Sequence, residues 1–93
     1  RADDYYALGV CHFDLERWEA AAAAWRQVLN VAPGHASALR GLPVAYWRLG
    51  DYNAAWETVA LAREAGVRLD PSFVDTLGRD SGRRDVPANG SVR

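Results

Sequence analysis

The sequence has one cysteine, no apolar run of membrane-spanning length and almost no net charge. Cys11 has no second cysteine to pair with in the chain, which excludes a disulfide-stapled scaffold. No stretch of about eighteen apolar residues occurs, so the sequence predicts no membrane span. No N-terminal segment combines the basic, apolar and small-residue parts of a signal peptide.

Residue combinations that carry chemistry are also scarce. Cys11 and His12 are neighbours in sequence, but adjacent helical residues point about 100° apart, so they are not a nucleophile and its base. Two histidines and one cysteine at these spacings match no metal signature. We therefore predict no enzyme, no cofactor and no metal site, and we expect Cys11 to be a small buried apolar residue and His12 a satisfied packing residue.

What remains is the composition of one small globular domain. The 93 residues are 49% hydrophobic and 25% charged, which predicts a modest core. The net charge of −1 is uneven, with seven Arg against ten acidic residues in 1–78 and four Arg against two Asp in 79–93. The chain begins with Arg1 and not Met, so we expect a piece of a longer protein or a processed product. Targeting signals therefore leave the compartment unknown, and the cytoplasm is favoured.

The chain repeats itself after 34 residues, and repetition at such a period is typical of helical arrays. Aromatic or large side chains also match, since Phe13 falls on Trp47 and Trp18 on Tyr52. Apolar residues recur at helical spacing twice within each unit, so each unit is predicted to be two amphipathic helices. The identical pairs are Ala2 and Ala36, Leu8 and Leu42, Val10 and Val44, Leu15 and Leu49, Ala20 and Ala54, and Ala21 and Ala55.

Helix-ending and helix-starting residues fall at the boundaries of these units. Gly50-Asp51 is typical of a left-handed helix end followed by an N-cap, and Asp70-Pro71 of an N-cap followed by proline at the first helical position. Pro33-Gly34 and Gly66 close the two units, and His35 is expected to help start the third helix. A short fifth helix is predicted at about 71–78, followed by a segment too polar to form an element.

These positions resemble the tetratricopeptide repeat, in which large, Leu, Gly, aromatic, Ala and Pro positions recur over 34 residues. Departures are His12 in place of Tyr, Val28 in place of Ala, Pro43 in place of Gly, and Val67 in place of the closing Pro. The remaining matches are Tyr5, Leu8, Gly9, Ala21, Trp25 and Pro33 in the first unit and Leu39, Leu42, Tyr46, Ala55, Val59 and Ala62 in the second.

The resemblance implies an all-α fold, a right-handed helix-turn-helix solenoid of about five helices in antiparallel pairs. It places repeats at 2–35 and 36–69, a capping helix at 70–78 and a polar, Arg-rich tail at 79–93. Pro43 conflicts with the third helix because proline in a helix interior costs about 3 kcal/mol. We expect a kink there in preference to a split helix, since Leu39, Leu42 and Tyr46 keep one face across it.

By the same resemblance, the first helix of each unit would line a concave surface that binds a peptide or a partner helix. Phe13 and Trp47 would be its main anchors, because buried aromatic residues and Arg dominate interface energies, although both could instead pack against neighbouring helices. The candidate binding residues are Tyr6, Val10, Phe13, Arg40, Val44, Trp47 and Arg48, and the surface would also carry Asp3, Asp14 and Ser37.

One subclass of these repeats grips acidic C-terminal peptides of chaperones through Lys, Arg and Asn side chains. Here Val10 and Val44 stand where the Asn residues would be, and Tyr6 stands where a Lys would be. The chain therefore does not fit that subclass. Arg40 and Arg48 remain candidates for holding a carboxylate, or are solvated as most exposed helix arginines are.

The predicted function is a protein–protein interaction module with a protein or peptide partner. The alternative is a structural segment that self-associates to a homo-oligomer through the alanine run at 20–24, whose small side chains permit close helix approach either between copies or within one chain. RNA binding is the least favoured hypothesis, because no aromatic lies among the tail arginines Arg79, Arg83, Arg84 and Arg93 and two Asp interrupt them.

Overall fold

The computed structural model describes residues 2–82, which form five helices and no strand. They are α1 (Ala2–Asp14), α2 (Trp18–Val31), α3 (Ala36–Leu49), α4 (Tyr52–Glu64) and α5 (Pro71–Ser81). Each of the first three helices packs against the next, and α1 also contacts α3. Because the connections between them are short, packed neighbours run antiparallel, so α1 and α3 run in the same direction. The predicted all-α, repeat-like fold is confirmed.

Local capping fixes where the helices begin and end. The Nδ1 atom of His35 accepts a hydrogen bond from the backbone N–H of Ala38 at 3.2 Å, and the Asp51 carboxylate accepts one from Ala54 at 3.2 Å. Gly50 has φ of 78°, a left-handed conformation that favours glycine, and it ends α3. Asp70 caps α5, with proline at the start of that helix. The start and stop signals of the sequence are therefore confirmed at these positions.

The core lies between α2, α3 and α4, and the alanine run of α2 contributes to it. Ala21, Ala22 and Ala24 are buried, whereas Ala20 is half-buried and Ala23 is exposed. Most of the small-residue surface therefore makes contacts within one chain. The core cluster comprises Ala21, Ala22, Trp25, Val28, Ala38, Leu42, Ala45, Tyr46, Ala55, Val59 and Leu77.

Helix α3 runs without interruption from Ala36 to Leu49, with Pro43 inside it and buried. The split-helix alternative at Pro43 is therefore excluded, while a bend at this residue stays a prediction. Helix α5 continues to Ser81, three residues past its predicted end at 78, so Arg79 and Asp80 are helical and do not start the tail. The rest of the predicted tail, 83–93, lies outside the described residues.

The predicted packing stripe of α1 is largely exposed. Leu8 and Leu15 are 49% and 62% exposed, whereas Leu42, the equivalent of Leu8 in the second unit, is fully buried. Leu42 is buried because α2 covers its side of α3. Leu8 is exposed because no helix within residues 2–82 covers the equivalent side of α1.

Two predictions for residues of α1 are wrong. Cys11 is exposed and not buried, again because α1 has only one covered side. His12 is half-buried, but its Nδ1 has no hydrogen-bond partner among the described residues, so it is not the satisfied histidine that was expected.

Candidate functional site

Trp25 of α2 reaches between α1 and α3 at a point where both helices carry a glycine. A Cβ atom built on Gly9 would overlap the indole ring, and one built on Gly41 would lie 2.7 Å from its Cζ3 atom. The indole Nε1 donates a hydrogen bond to the backbone carbonyl of Tyr6 at 3.2 Å. The ring is therefore held by two helices at once, and only 4% of the residue is exposed.

The buried indole borders an open pocket of about 420 Å³ between α1 and α3. The pocket is mostly aromatic and apolar, with one hydroxyl group and one guanidinium group at its α3 side. Such a combination of apolar walls and few polar groups is typical of binding pockets. Its lining residues are Tyr6, Val10 and Phe13 from α1, Trp25 from α2, and Ser37, Arg40 and Gly41 from α3.

The aromatic walls of the pocket are fixed by ring contacts. Trp25 stacks with Tyr6 at a centroid distance of 6.1 Å and lies 5.6 Å from Phe13. Phe13 also meets Trp18 edge-on at 4.8 Å, and Tyr6 lies 5.4 Å from the His35 ring. Each such pair adds about 0.5–1.5 kcal/mol beyond burial of its area, which keeps the walls preformed.

Arg40 is exposed and lies at the edge of the pocket. Its Nε atom donates a hydrogen bond to the backbone carbonyl of Arg68 at 3.2 Å. This contact uses one of the five N–H groups of the guanidinium and orients the two terminal amino groups. Arg40 can therefore present hydrogen-bond donors to a ligand without first being ordered.

Trp47 does not line this pocket. Its ring meets Phe73 of α5 edge-on at 5.9 Å, and its indole N–H donates to the carboxylate of Asp80. The residue is half-buried, as is Val44, which lies one turn before it. The structure thus brings four of the seven predicted site residues into one pocket, and Val44, Trp47 and Arg48 lie farther along α3.

The guanidinium of Arg48 lies close to two tryptophan rings. Its Cζ atom is 5.3 Å from the centroid of Trp18 and 5.0 Å from that of Trp47. Both distances are within the range of cation–π attraction. Arg48 was predicted as a binding residue, but its contact with Trp18 was missed. The candidate binding residues were taken from the first helix of each unit, whereas Trp18 is the first residue of α2.

Trp25 and Gly41 were also missed as pocket residues. Trp25 was interpreted only as a position of the repeat, and Gly41 was not among the candidate binding residues. A sequence signal did exist, since a large aromatic on one helix needs small residues on the helices that it separates. Pairing Trp25 with Gly9 and Gly41 in advance would have required knowing how the helices stack.

Among residues 2–82, no group of three or more His, Cys, Asp or Glu side chains is placed to hold a metal ion. In the same part of the chain, no helix has both the length and the apolar character needed to cross a membrane.

Comparison with known proteins finds a similarity for the first unit. Residues 2–35, which comprise α1, α2 and the turn after them, match the model of the tetratricopeptide repeat family. Among curated proteins, no match to the chain is found.

Proposed function

Because residues 2–35 match the tetratricopeptide repeat model and the five helices fit an array of such repeats, we propose that the pocket between α1 and α3 binds a peptide or helix of a partner protein. The family supports a general protein–protein interaction module. Its repeats are generally not catalytic, and the proposed role is therefore that of a scaffold or adaptor. Binding in this particular pocket is our proposal.

One observation supports the pocket above other surfaces. It combines preformed aromatic walls, an open mouth and an exposed, oriented arginine within one 420 Å³ space. Aromatic residues and arginine carry most of the binding energy at protein interfaces, particularly where they are already ordered before binding.

Filling the pocket tests this function. Peptides are first selected on the wild-type chain from a random library, and their affinities are then measured by fluorescence anisotropy for Ser37→Trp, which places an indole in the pocket. We expect at least tenfold weaker binding, because the ligand and the new side chain compete for the same space. Unchanged affinities would contradict pocket binding.

The chain offers a matched control for this variant. Ser37 and Ser72 are each the second residue of their helix, α3 and α5, but Ser72 is exposed and lies outside the pocket. Ser72→Trp should leave the affinities within twofold of wild type. Circular dichroism of both variants checks that helix content is retained.

The alternative of self-association through the alanine run is not supported by its burial, since the structure uses three of the five alanines inside the chain. RNA binding by the tail stays a prediction, because Arg83, Arg84 and Arg93 lie outside the described residues.

A further inference from the structure

The last turn of α5 lies beside side chains of α3 and α4. The Trp47 indole N–H donates a hydrogen bond to the Asp80 carboxylate, and the Trp56 indole N–H donates one to the Ser81 hydroxyl at 3.0 Å. Both acceptors belong to the end of α5, which finishes at Ser81. The segment 83–93 therefore begins next to the end of α3, one of the two helices that form the pocket.

A short chain of contacts leads from this point to the pocket. The Cζ atom of Arg48 lies 5.0 Å from the centroid of the Trp47 ring and 5.3 Å from that of Trp18. Trp18 in turn meets Phe13 edge-on at 4.8 Å, and Phe13 lines the pocket. The pocket and the start of the segment 83–93 are therefore near neighbours on the surface.

The segment is long enough to reach the pocket of its own chain. The pocket residue Arg40 precedes Trp47 by seven residues of α3, which is a rise of about 10 Å. Because a helix with its side chains is about 10–12 Å wide, the path that crosses α3 to the pocket is about 15 Å long. The five residues from Gly82 to Pro87 extend to about 17 Å. Pro87 can therefore enter the pocket.

The composition of the segment suits this site. Its longest apolar run is Val86-Pro87-Ala88, and grooves lined by aromatic rings are a recurring binding site for segments that contain proline. Residues 2–82 carry seven Arg against eleven acidic residues, whereas 83–93 carry three Arg against one Asp. The segment and the folded part thus have net charges of opposite sign, which favours their association.

The covalent connection favours this occupant over a separate molecule. A short linker makes binding intramolecular and gives the linked group an effective concentration in the millimolar range. An apolar run that would bind the pocket only weakly as a separate peptide can then fill it.

Building on the proposed binding pocket, we propose that Val86 and Pro87 occupy the pocket between α1 and α3 of the same chain, and that a partner peptide has to displace them. Pro87 packs against the rings of Tyr6, Phe13 and Trp25. The affinity for the partner is then reduced by the fraction of chains whose pocket is already filled.

A spin label on the segment tests this contact in the full chain. The label is attached to Asn89→Cys after Cys11, the single and exposed cysteine, has been replaced by serine. We expect the label to broaden the amide resonances of the pocket residues Val10 and Gly41 more strongly than that of Leu61, an exposed residue of α4.

Val86→Ser and Val92→Ser are matched variants, because they make the same change at two places in the segment. We expect Val86→Ser to abolish the extra broadening of Val10 and Gly41 and to tighten the binding of the selected peptides about two- to tenfold. That range corresponds to a segment that fills half to nine-tenths of the wild-type pockets. Val92→Ser should leave both measurements unchanged, and Ser37→Trp should abolish the broadening because it fills the same space.

Equal broadening of the pocket and of Leu61 would overturn this inference, and the proposed function would stand if the selected peptides still lost affinity with Ser37→Trp. Peptides that ignore Ser37→Trp would contradict the proposed function, whereas the broadening decides the contact of the segment separately. Broadening of an isotope-labelled chain by spin-labelled copies mixed with it would show that the segment of a second copy fills the pocket, and it would overturn occupation within one chain.

Discussion

At the scale of single residues, Trp25 links the fold to the pocket. Its ring fills the space that Gly9 and Gly41 leave between α1 and α3, and its indole N–H binds a carbonyl of α1. The same ring forms part of the pocket wall. A change that displaces this indole should therefore affect both stability and binding.

Gly41→Ala tests the close approach of Trp25. Overlap with the ring should lower the free energy of unfolding by about 2–3 kcal/mol, and the better helix propensity of alanine, about 1 kcal/mol, offsets only part of this. Urea denaturation measures the change. Gly34→Ala is the control, since no atom lies within 4 Å of the added Cβ and φ is not positive there, and we expect a change below about 0.5 kcal/mol. Equal stability of the two variants would contradict the tight contact.

At the scale of elements, α5 is held by side chains from two other helices. Phe73 contacts Trp47 of α3, and the Ser81 hydroxyl accepts a hydrogen bond from the indole N–H of Trp56 in α4 at 3.0 Å. Val74 and Leu77 are buried, and Leu77 belongs to the core cluster. The helix is therefore part of the folded unit although the sequence predicted only a short cap.

Leu77→Ala tests whether α5 folds together with the rest. Removing a fully buried leucine should cost about 2–5 kcal/mol, and the loss should appear in the global unfolding transition and in hydrogen exchange of the α3 and α4 amides. Leu61→Ala on α4, where the leucine is 47% exposed, should cost less than about 1 kcal/mol. If Leu77→Ala increases exchange in α5 alone, α5 docks as an independent element.

At the scale of the whole molecule, equivalent residues of the two units have different environments. Leu8 and Leu42 occupy the same position in the repeat, but Leu8 is 49% exposed and Leu42 is fully buried. The difference arises because α3 is packed between α2 and α4, whereas within residues 2–82 the outer side of α1 is uncovered.

The paired substitutions Leu8→Ala and Leu42→Ala measure the effect of this position in the array. We expect Leu42→Ala to lower the free energy of unfolding by about 2–5 kcal/mol and Leu8→Ala by less than about 1 kcal/mol, both from thermal and urea denaturation of the full chain. Similar losses for the two variants would mean that the outer side of α1 is covered in solution. The oligomeric state of the wild type would then show whether a second copy covers it.

Much of the fold could be predicted from local pattern, and less of the site. The helix ends at Gly50-Asp51 and Asp70-Pro71 were predictable because capping depends on a few neighbouring residues. Four predicted groove residues do share one pocket, because helical spacing fixes which side chains of α1 and α3 face the same way. The part played by Trp25 could not be predicted, because it comes from another helix.

The sequence by itself determined the number and order of the helices and most of their ends, because apolar spacing and capping act within a few residues along the chain. Only the tertiary structure decided which repeat-equivalent side chains are buried, that Trp25 passes between two glycines, and that Arg48 lies close to the rings of Trp18 and Trp47. These features depend on which helix lies across another, and contacts between residues far apart in sequence are set by packing of the whole array.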